Sequence, residues 1–227
     1  MRLYLIRHGQ TPANVAGELD TAPPGAGLTE LGHAQAGGLV AALAHETLAG
    51  VHASPLSRAQ LTAAPLAAAH GREVRVQPGL EEIRAGDLEM RTDEESVAAY
   101  LGCLHAWMHG DLDRLMPGAW DGHAFVGRYD AAVREIAGQH GDGETAVAVS
   151  HGAAIRTFTA LRVSGTEPRE ISERRIQNTG GVLLEGSPDA GWRLVEWFSE
   201  PLGGQALTDQ SAHDVTGDAE GTTPRAR

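Results

Sequence analysis

Two histidine–glycine pairs and two arginines stand out because their types and spacing suggest phosphate chemistry. His8 follows the apolar run LYLI and Arg7, while His151 follows the run AVAVS. Arg58 lies in the segment SPLSRAQLTA. A neutral imidazole offers a lone pair that can attack phosphorus, and each guanidinium presents a planar fork that matches phosphate oxygens. These four side chains therefore predict a compact cationic pocket that binds a phosphate.

The two apolar runs must bring these histidines together. Each run is almost continuously apolar, which is typical of strands buried on both faces of a parallel sheet. Parallel strands end at the same edge of the sheet, and open α/β sheets bind their ligands at that edge. We therefore expect the rings of His8 and His151 to converge beside the two arginines.

The chain as a whole is acidic, with 18 basic residues, 30 acidic residues and a formal net charge of −12. Such a surface repels nucleic acid and anionic membranes at long range, and neither is expected as a partner. It also repels a phosphorylated substrate. For a small phosphorylated substrate to bind, the local group of arginines and histidines must therefore make the electrostatic potential of the pocket positive.

Cysteine usage and hydropathy bear on the compartment. Cys103 is the single cysteine, so neither an intramolecular disulfide nor a thiolate metal cluster can form, which suits a reducing cytoplasm. No stretch approaches the roughly 20 apolar residues of a membrane span, and residues 1–6 lack the architecture of a signal peptide. We therefore expect a cytoplasmic protein.

The predicted elements alternate between strands and helices. After a first strand at 2–6, a Pro/Gly loop at 20–28 precedes a helix that begins near Thr29, and another helix begins near Ser54. Pro65 should kink or end that second helix. The other predicted elements are strands at 50–53, 73–76 and 145–149 and helices at 92–109, at 123–138 and from 153 onward. This alternation predicts a three-layer α/β/α sandwich with a mostly parallel central sheet.

The C-terminal third departs from this alternation. Two apolar runs at 181–185 and 192–197 are separated by GSPDAG, which predicts an antiparallel hairpin at the sheet edge. Its exposed edge could pair with a second copy to form a homodimer. Residues 203–227 have few apolar side chains and are expected to form a disordered tail. The expected domain therefore covers 1–202, with a helical insert at about 92–122.

At this point the sequence resembles a known family, the histidine phosphatase or phosphoglycerate mutase-like superfamily, and its phosphatase branch in particular. The resemblance covers roughly residues 1–200. It depends on four motifs in the family's order and spacing: LYLIRHGQTPAN at 3–14, SPLSRAQLTA at 54–63, LEEIRAGDLE at 80–89 and AVSHGAAIR at 148–156.

The resemblance implies a catalytic role for five residues. His8 would be the nucleophile that becomes phosphorylated, and Arg7, Arg58 and His151 would hold the phosphoryl oxygens. Glu82 would protonate the leaving group, for which it needs a raised pKa that keeps it protonated near neutral pH. Water would then hydrolyse the phosphohistidine with Glu82 as the base. The reaction needs neither a metal nor a cofactor.

The resemblance also implies substrate contacts from Asn14, Thr11 and Gly152. Asn14 would add a hydrogen bond to the phosphate, although Asn also serves turns well. The loop at 20–28 is longer than in many relatives and is expected near the rim of the pocket.

The chain departs from the family pattern around Glu89. Relatives often have an aromatic residue and a glycine there, as in WEG, whereas this chain reads DLEM at 87–90. Because of this difference, the sequence does not predict the shape of the substrate pocket. It also leaves Glu81 as the alternative to Glu82 for the proton donor.

Two other functions remain open from the sequence. One is a cofactor-dependent phosphoglycerate mutase-type transfer, but the stretch between Arg91 and Arg128 contains only Arg114 as a basic residue, where a bisphosphate-binding lid needs more. The other is a non-catalytic phosphate-binding regulatory module. The presence of the whole expected catalytic set favours a hydrolase that acts on a small phosphorylated metabolite.

A pair of histidines on a predicted helix suggests a separate function, metal binding. His105 and His109 are four residues apart, which is a metal-ligand spacing, and Asp111 and Asp113 follow. A polar helix face explains the same pattern, so no metal site is expected.

Overall fold

A computed structural model describes residues 1–209 and 215–217, and its central feature is one seven-stranded sheet. The strands are β1 (Arg2–Arg7), β2 (Leu48–Ala53), β3 (Val74–Val76), β4 (Thr145–Ser150), β5 (Val163–Ser164), β6 (Gly181–Ser187) and β7 (Gly191–Phe198). The α-helices are α1 (Pro12–Ala16), α2 (Glu30–Ala42), α3 (Ser57–Ala69), α4 (Glu94–Met108), α5 (Gly122–Gly138), α6 (Gly152–Arg162) and α7 (Pro168–Ser172).

The order of the strands across the sheet is β3-β2-β4-β1-β6-β7-β5. Strands β3, β2, β4 and β1 are parallel neighbours, whereas β6 pairs antiparallel with both β1 and β7. In the register of β1 and β4, Arg7 lies opposite Ser150, so His8 and His151 leave adjacent strands at the same edge. The predicted convergence of the two histidine turns follows directly from this pairing.

The sheet is covered on both faces because its central strands are apolar at successive positions. Leu3 and Leu5 of β1 pack into a core with α4, α5 and α6, while Tyr4 and Ile6 pack into a second core with α2 and α3. Side chains alternate between faces along a strand, so a continuously apolar strand needs helices on both sides. The predicted three-layer α/β/α sandwich with a C-terminal antiparallel hairpin is confirmed.

Local differences from the prediction involve short elements and one proline. Helix α3 continues past Pro65 to Ala69, so Pro65 does not end it. Ala63, Leu66 and Ala67 are buried against the sheet, and this packing holds the turns on either side of the proline. The two-residue strand β5 and the five-residue helices α1 and α7 are too short to leave a periodic signal.

The predicted helical insert consists of α4, an irregular segment at 109–121 and the first residue of α5. Asp93 caps α4, since its carboxylate accepts from the backbone N–H of Ser96. Buried Tyr100 donates to the carbonyl of Ile83 at 2.9 Å, and Trp107 donates to the carbonyl of Arg114 at 2.8 Å. The insert is therefore packed against the segment that carries LEEIRAGDLE.

The predicted disordered tail, 203–227, differs from the structure wherever the chain is described. Residues Gln205–Leu207 form a 3₁₀ turn whose Leu207 carbonyl accepts from Gln35 of α2. Val215 and Thr216 are buried, and the carbonyl of Gly217 accepts from the N–H of Ile176 at 2.9 Å. A few well-placed contacts order this segment although it is poor in apolar residues. The rest of the predicted tail, 210–214 and 218–227, lies outside the described residues.

Across residues 1–209 and 215–217, none of the helices is both long enough and apolar enough to span a membrane.

Candidate active site

His8 is the first residue after β1, and both nitrogens of its buried ring are held. Nδ1 donates to the carbonyl of Gly9 at 2.8 Å, since a carbonyl can only accept. Nε2 accepts from the Nε–H of Arg58 at 3.1 Å, so it carries the lone pair. The tautomer that a nucleophilic imidazole needs is therefore fixed by the backbone, and Nε2 is the nitrogen available for attack.

His151 is the N-cap residue of α6, and its ring centroid lies 5.1 Å from that of His8. Its Nε2 lies 2.8 Å from the hydroxyl oxygen of Ser54, which itself accepts from the N–H of Leu56. The Ser54 hydroxyl can therefore donate its hydrogen to Nε2, which leaves the proton of the ring on Nδ1. That Nδ1 is buried and has no partner among the described residues, so it is a donor ready for an anion.

Arg58 lies in the first turn of α3 and is held by two neighbouring segments. Its guanidinium donates to the carbonyl of Asp20 at 2.8 Å and lies 3.4 Å from the Asp20 carboxylate. Thr62, one turn later, donates to the Arg58 carbonyl and accepts from the N–H of Gly9. These contacts place the Nε of Arg58 against the ring of His8.

Arg7 is the last residue of β1, and its guanidinium is fully buried. It donates to the carbonyl of Ile176 at 3.0 Å and to the hydroxyl of Thr216 at 3.1 Å. The Thr216 carbonyl also accepts from Arg156 at 3.3 Å. The C-terminal segment at 215–217 therefore forms part of the wall around Arg7.

Glu82 lies in the loop that follows β3, and its carboxylate is buried at the amino end of α6. One oxygen accepts from the N–H groups of Ile83 at 2.8 Å and Ala154 at 2.9 Å, and the other accepts from Ala153 at 3.2 Å. Since His151 is the cap of this helix, Glu82 lies beside the paired histidines. Of the two candidate donors, Glu82 is the one that reaches the histidine turns.

Neighbouring residues fix the backbone of this loop. Arg128 of α5 donates to the carbonyls of Gly79, Glu81 and Glu82 at 2.7, 2.8 and 2.9 Å. The carboxylate of Glu81 points back to the N–H of Gly79 and lies 3.5 Å from Arg128. Glu81 therefore stabilises the loop and is not directed at the histidines.

The three residues expected to contact substrate also have local contacts. Thr11 caps α1, and its N–H and hydroxyl both lie within hydrogen-bond distance of the Asn14 side-chain oxygen, at 3.0 and 3.1 Å. That oxygen also accepts from Asn178 at 3.2 Å, and Asn178 in turn donates to the carbonyl of His8 at 3.0 Å. At Gly152, a Cβ would collide with the carbonyl of Thr216.

Burial and charge shift the pKa values of the two histidines and of Glu82 in opposite directions. Burial, reinforced by Arg58 and Arg7, lowers the pKa of His8 well below its ordinary value. Burial and the neighbouring cations likewise lower the pKa of His151. Burial raises the pKa of Glu82, although backbone N–H groups and Arg58 partly oppose the shift. The pocket therefore favours neutral imidazoles and a protonated carboxyl group.

The loop at 20–28 lies at the rim of this pocket, as predicted. Its Asp20 holds Arg58, and a Cβ on Gly25 would collide with the Arg58 guanidinium. Glu89, which lies between the two positions where the sequence departs from the family pattern, accepts from the N–H groups of Thr21 and Ala22 at 2.7 and 2.8 Å. The Glu89 carboxylate therefore anchors the rim loop.

Sequence reasoning missed four residues of this site: Asp20, Ser54, Asn178 and Thr216. Ser54 and Asp20 each lie in segments that the sequence singled out, so their proximity to a catalytic motif was a usable signal. Asn178 and Thr216 are separated from His8 by more than half the chain and carry no local motif. Only the three-dimensional arrangement reveals their contacts with His8 and Arg7.

The histidine pair at the C-terminal end of α4 forms ring contacts. The rings of His105 and His109 stack with centroids 4.1 Å apart, and Nδ1 of His109 donates to the carbonyl of His105 at 2.9 Å. In the part of the chain that the structure describes, no group of three or more His, Cys, Asp or Glu side chains is arranged to hold a metal ion.

Comparison with known proteins gives one family match. The sequence model of the histidine phosphatase superfamily (branch 1) matches residues 3–200. The PE-PGRS family protein PE_PGRS11 of Mycobacterium tuberculosis is 38% identical over 224 residues, which cover 92% of this chain. The chain spans only 38% of the length of that relative.

Two further comparisons cover nearly the full length of both proteins. A glucosyl-3-phosphoglycerate phosphatase of Mycolicibacterium vanbaalenii is 31% identical over 222 residues, which cover 86% of this chain and 93% of that protein. The solved structure of a mycobacterial glucosyl-3-phosphoglycerate phosphatase superimposes with a TM-score of 0.73 at 26% identity, covering 88% of this chain and 99% of that one.

Proposed function

The chain belongs to the histidine phosphatase superfamily (branch 1), and from this premise we propose that it hydrolyses phosphate monoesters through a phosphohistidine formed on His8. The observation that carries the proposal is the pairing of a lone-pair nitrogen, His8 Nε2, with the Arg58 Nε–H at 3.1 Å. The nucleophilic nitrogen and a phosphate-binding cation are therefore in direct contact. A phosphate bound there would take over the Arg58 hydrogen bond and place phosphorus against Nε2.

In the first step, Nε2 of His8 attacks phosphorus and the bond between phosphorus and the ester oxygen breaks. Arg7, Arg58 and the Nδ1–H of His151 stabilise the charge that spreads over the equatorial oxygens. Glu82 gives its proton to the departing oxygen, which leaves as an alcohol because an alkoxide is a poor leaving group. The raised pKa of Glu82 supports this role, since the carboxyl group must be protonated beforehand.

In the second step, water replaces the alcohol. The Glu82 carboxylate takes a proton from the water, the oxygen of the water bonds to phosphorus, and the bond between phosphorus and Nε2 breaks. Inorganic phosphate and neutral His8 are released. Asn14, Thr11 and Gly152 complete the phosphate site in this proposal, with Asn14 held in place by Asn178.

The substrate is proposed to be a small phosphorylated metabolite handled in the cytoplasm. Glucosyl-3-phosphoglycerate is a reasonable first candidate, since two of the proteins compared above are named for its hydrolysis.

The test uses p-nitrophenyl phosphate with the wild-type protein and a His8→Ala variant. We expect the substitution to reduce kcat by about 10⁴-fold or more, because it removes the nucleophile itself. The matched control is His33→Ala, which removes an exposed histidine on α2 and should retain wild-type turnover. A wild-type protein that turns over no phosphate ester at any pH would instead favour the phosphate-binding module.

Chemical trapping separates the covalent route from direct attack by water. Rapid quenching during turnover of a ³²P-labelled ester should yield protein-bound phosphate that is labile in acid and stable in base, as a phosphoramidate is. Loss of this label in His8→Ala places it on His8. Turnover that depends on added 2,3-bisphosphoglycerate and gives an isomer of 3-phosphoglycerate would indicate the mutase reaction.

A further inference from the structure

A short segment directly before β6 runs against the end of β1. The carbonyl of Gly180 accepts from the backbone N–H of Arg7 at 2.8 Å, and the N–H of Thr179 donates to the Arg7 carbonyl at 3.0 Å. The buried side chain of Asn178 extends this contact by one residue, since it donates to the carbonyl of His8 at 3.0 Å. We call Asn178, Thr179 and Gly180 the clamp segment. It holds the two consecutive residues that carry the nucleophile and a phosphate-binding cation.

The backbone of Thr179 in this segment is strained. Its φ is 60°, in the left-handed region where a β-branched side chain is an outlier. Strained residues of this kind persist only where the surrounding structure holds them, and they cluster at functional sites. Thr179 is fully buried, its hydroxyl donates to the carbonyl of Asn178 at 2.7 Å, and its carbonyl accepts from the N–H of Leu202 at 3.1 Å. These contacts fix the backbone that carries Asn178.

The directions of two side-chain amides follow from their neighbours. The backbone N–H of Thr11 can only donate, so the end of Asn14 that lies 3.0 Å from it is the oxygen. The carbonyl of His8 can only accept, so the end of Asn178 that faces it is the NH₂ group. The same NH₂ group donates to the Asn14 oxygen at 3.2 Å. Asn178 therefore uses one hydrogen on the backbone of the nucleophile and the other on the expected phosphate ligand.

The hydrogen bond to the His8 carbonyl fixes the peptide group that joins His8 to Gly9. On the other side of this peptide, the N–H of Gly9 donates to the hydroxyl of Thr62 at 2.9 Å. The carbonyl of Gly9 in turn accepts from Nδ1 of His8 at 2.8 Å, which leaves the lone pair on Nε2. Asn178 and Thr62 therefore hold, from both sides, the backbone on which the tautomer of His8 depends.

We propose that Asn178 is a positioning residue for the reaction, which orients the Asn14 amide so that its NH₂ group faces the phosphate and which fixes the backbone of His8. The proposal rests on the proposed phosphatase function and adds a residue to it. Asn178 does not touch the substrate, so its whole effect passes through Asn14 and His8. Without its NH₂ group, the Asn14 oxygen and the His8 carbonyl each lose a donor, and the amide of Asn14 is held by Thr11 alone.

The test is a double-mutant cycle between Asn178 and Asn14. Asn178→Leu keeps the branched shape of the side chain and removes both hydrogens. We expect kcat/KM for p-nitrophenyl phosphate to fall by about 10- to 50-fold, and inhibition by vanadate to weaken with it. In an Asn14→Ala background the same substitution should lower kcat/KM by about threefold or less, because one of its two routes is already lost. Damage that does not pass through Asn14 would give the same factor in both backgrounds.

The matched control is Gln177→Leu, which removes the neighbouring buried amide. That amide donates to Glu200 at 2.8 Å and does not contact the histidine turns, so kcat/KM should stay near the wild-type value. Asn178→Ala is a second variant to which the same cycle applies, and thermal unfolding checks that each variant is folded.

Two results would overturn the proposal. One is an equal factor in both backgrounds for a folded Asn178 variant, and the other is wild-type activity in that variant. In either case, turnover of p-nitrophenyl phosphate by the wild-type protein would leave the phosphatase function standing. A wild-type protein that turns over no ester would remove both.

Discussion

His8 and Glu82 occupy one buried pocket, yet burial prepares them for opposite tasks. Removing water penalises the charged form of each group, which favours the neutral imidazole and the protonated carboxyl group. The first is what a nucleophile needs and the second is what a proton donor needs. Arg58 and Arg7 strengthen the effect on His8, and Arg58 weakens the effect on Glu82, because its charge favours a carboxylate.

Replacing Glu82 by Gln tests the proton donor through the leaving group. The amide keeps the size of the side chain but cannot give up a proton. We expect kcat to fall by about 10²- to 10⁴-fold for an alkyl phosphate and by much less for p-nitrophenyl phosphate, whose leaving group needs little protonation. The matched control is Glu81→Gln, which should leave the ratio of the two rates unchanged. Equal losses on both esters in Glu82→Gln would remove Glu82 from the acid role.

The convergence of His8 and His151 could be predicted from the sequence, but the directions of the neighbouring side chains could not. His8 and His151 were found because each follows an apolar strand, and strand pairing is a property that local patterns express. The choice between Glu81 and Glu82 was not readable, since adjacent residues in an irregular loop differ only in direction. That direction is set by Arg128 and by the amino end of α6, which are distant in sequence.

At the level of elements, the segment at 215–217 is the least predictable part of the site. It lies between Arg7 and the amino end of α6, and it is held by the N–H of Ile176 and by Arg156. Its composition suggested disorder, because low apolar content usually means that a segment cannot bury enough surface to fold. Here hydrogen bonds to a preformed pocket order it instead.

Thr216→Val tests whether this segment positions Arg7. Valine keeps the shape of the side chain and removes the oxygen that accepts from the Arg7 guanidinium. We expect kcat/KM for p-nitrophenyl phosphate to fall by about 5- to 30-fold, and the affinity for vanadate to weaken similarly, because Arg7 loses a restraint.

Thr216→Ser is the control for that variant, since it keeps the hydroxyl and should stay near the wild type. Thermal unfolding of both variants checks that the fold is intact. Activity in Thr216→Val that equals or exceeds the wild-type value would show that the segment does not position Arg7.

At the scale of the whole molecule, a second histidine pair joins the sheet to a helix far along the chain. His52 of β2 and His140, just after α5, approach with their Nε2 atoms 3.0 Å apart. The side chains of both residues are buried, and Nδ1 of His52 has no partner among the described residues. One Nε2 must donate and the other accept, so the contact requires that at least one ring be neutral.

The His52–His140 pair predicts that the free energy of unfolding decreases at acidic pH. Burial, together with His140 and Arg75, lowers the pKa of His52 to about 4, and burial lowers the pKa of His140 although Glu144 opposes the shift. In the unfolded chain a histidine titrates at about 6.5. Between about 6.5 and about 4 the unfolded state binds more protons, so the free energy of unfolding falls as the pH falls through this window.

His52→Gln should weaken that dependence. Glutamine can still form hydrogen bonds but does not titrate, so the stability lost between pH 7 and pH 5 should shrink by about 2 kcal/mol. Urea denaturation at the two pH values measures the difference. His33→Gln, at an exposed position, should keep the wild-type loss. A His52→Gln protein that loses as much stability as the wild type over this interval would contradict the assignment.

The neutral state of His8 and His151 determines how the affinity of the site for its ligands depends on pH. Positive charge at the anion site is then carried by guanidinium groups alone, which keep their protons at every physiological pH. The two histidines therefore contribute no change of affinity near neutrality. A phosphate ester, whose second proton is gained near about pH 6, should be held less firmly once it becomes a monoanion. Sulfate, which remains doubly charged across the same range, should be held equally throughout.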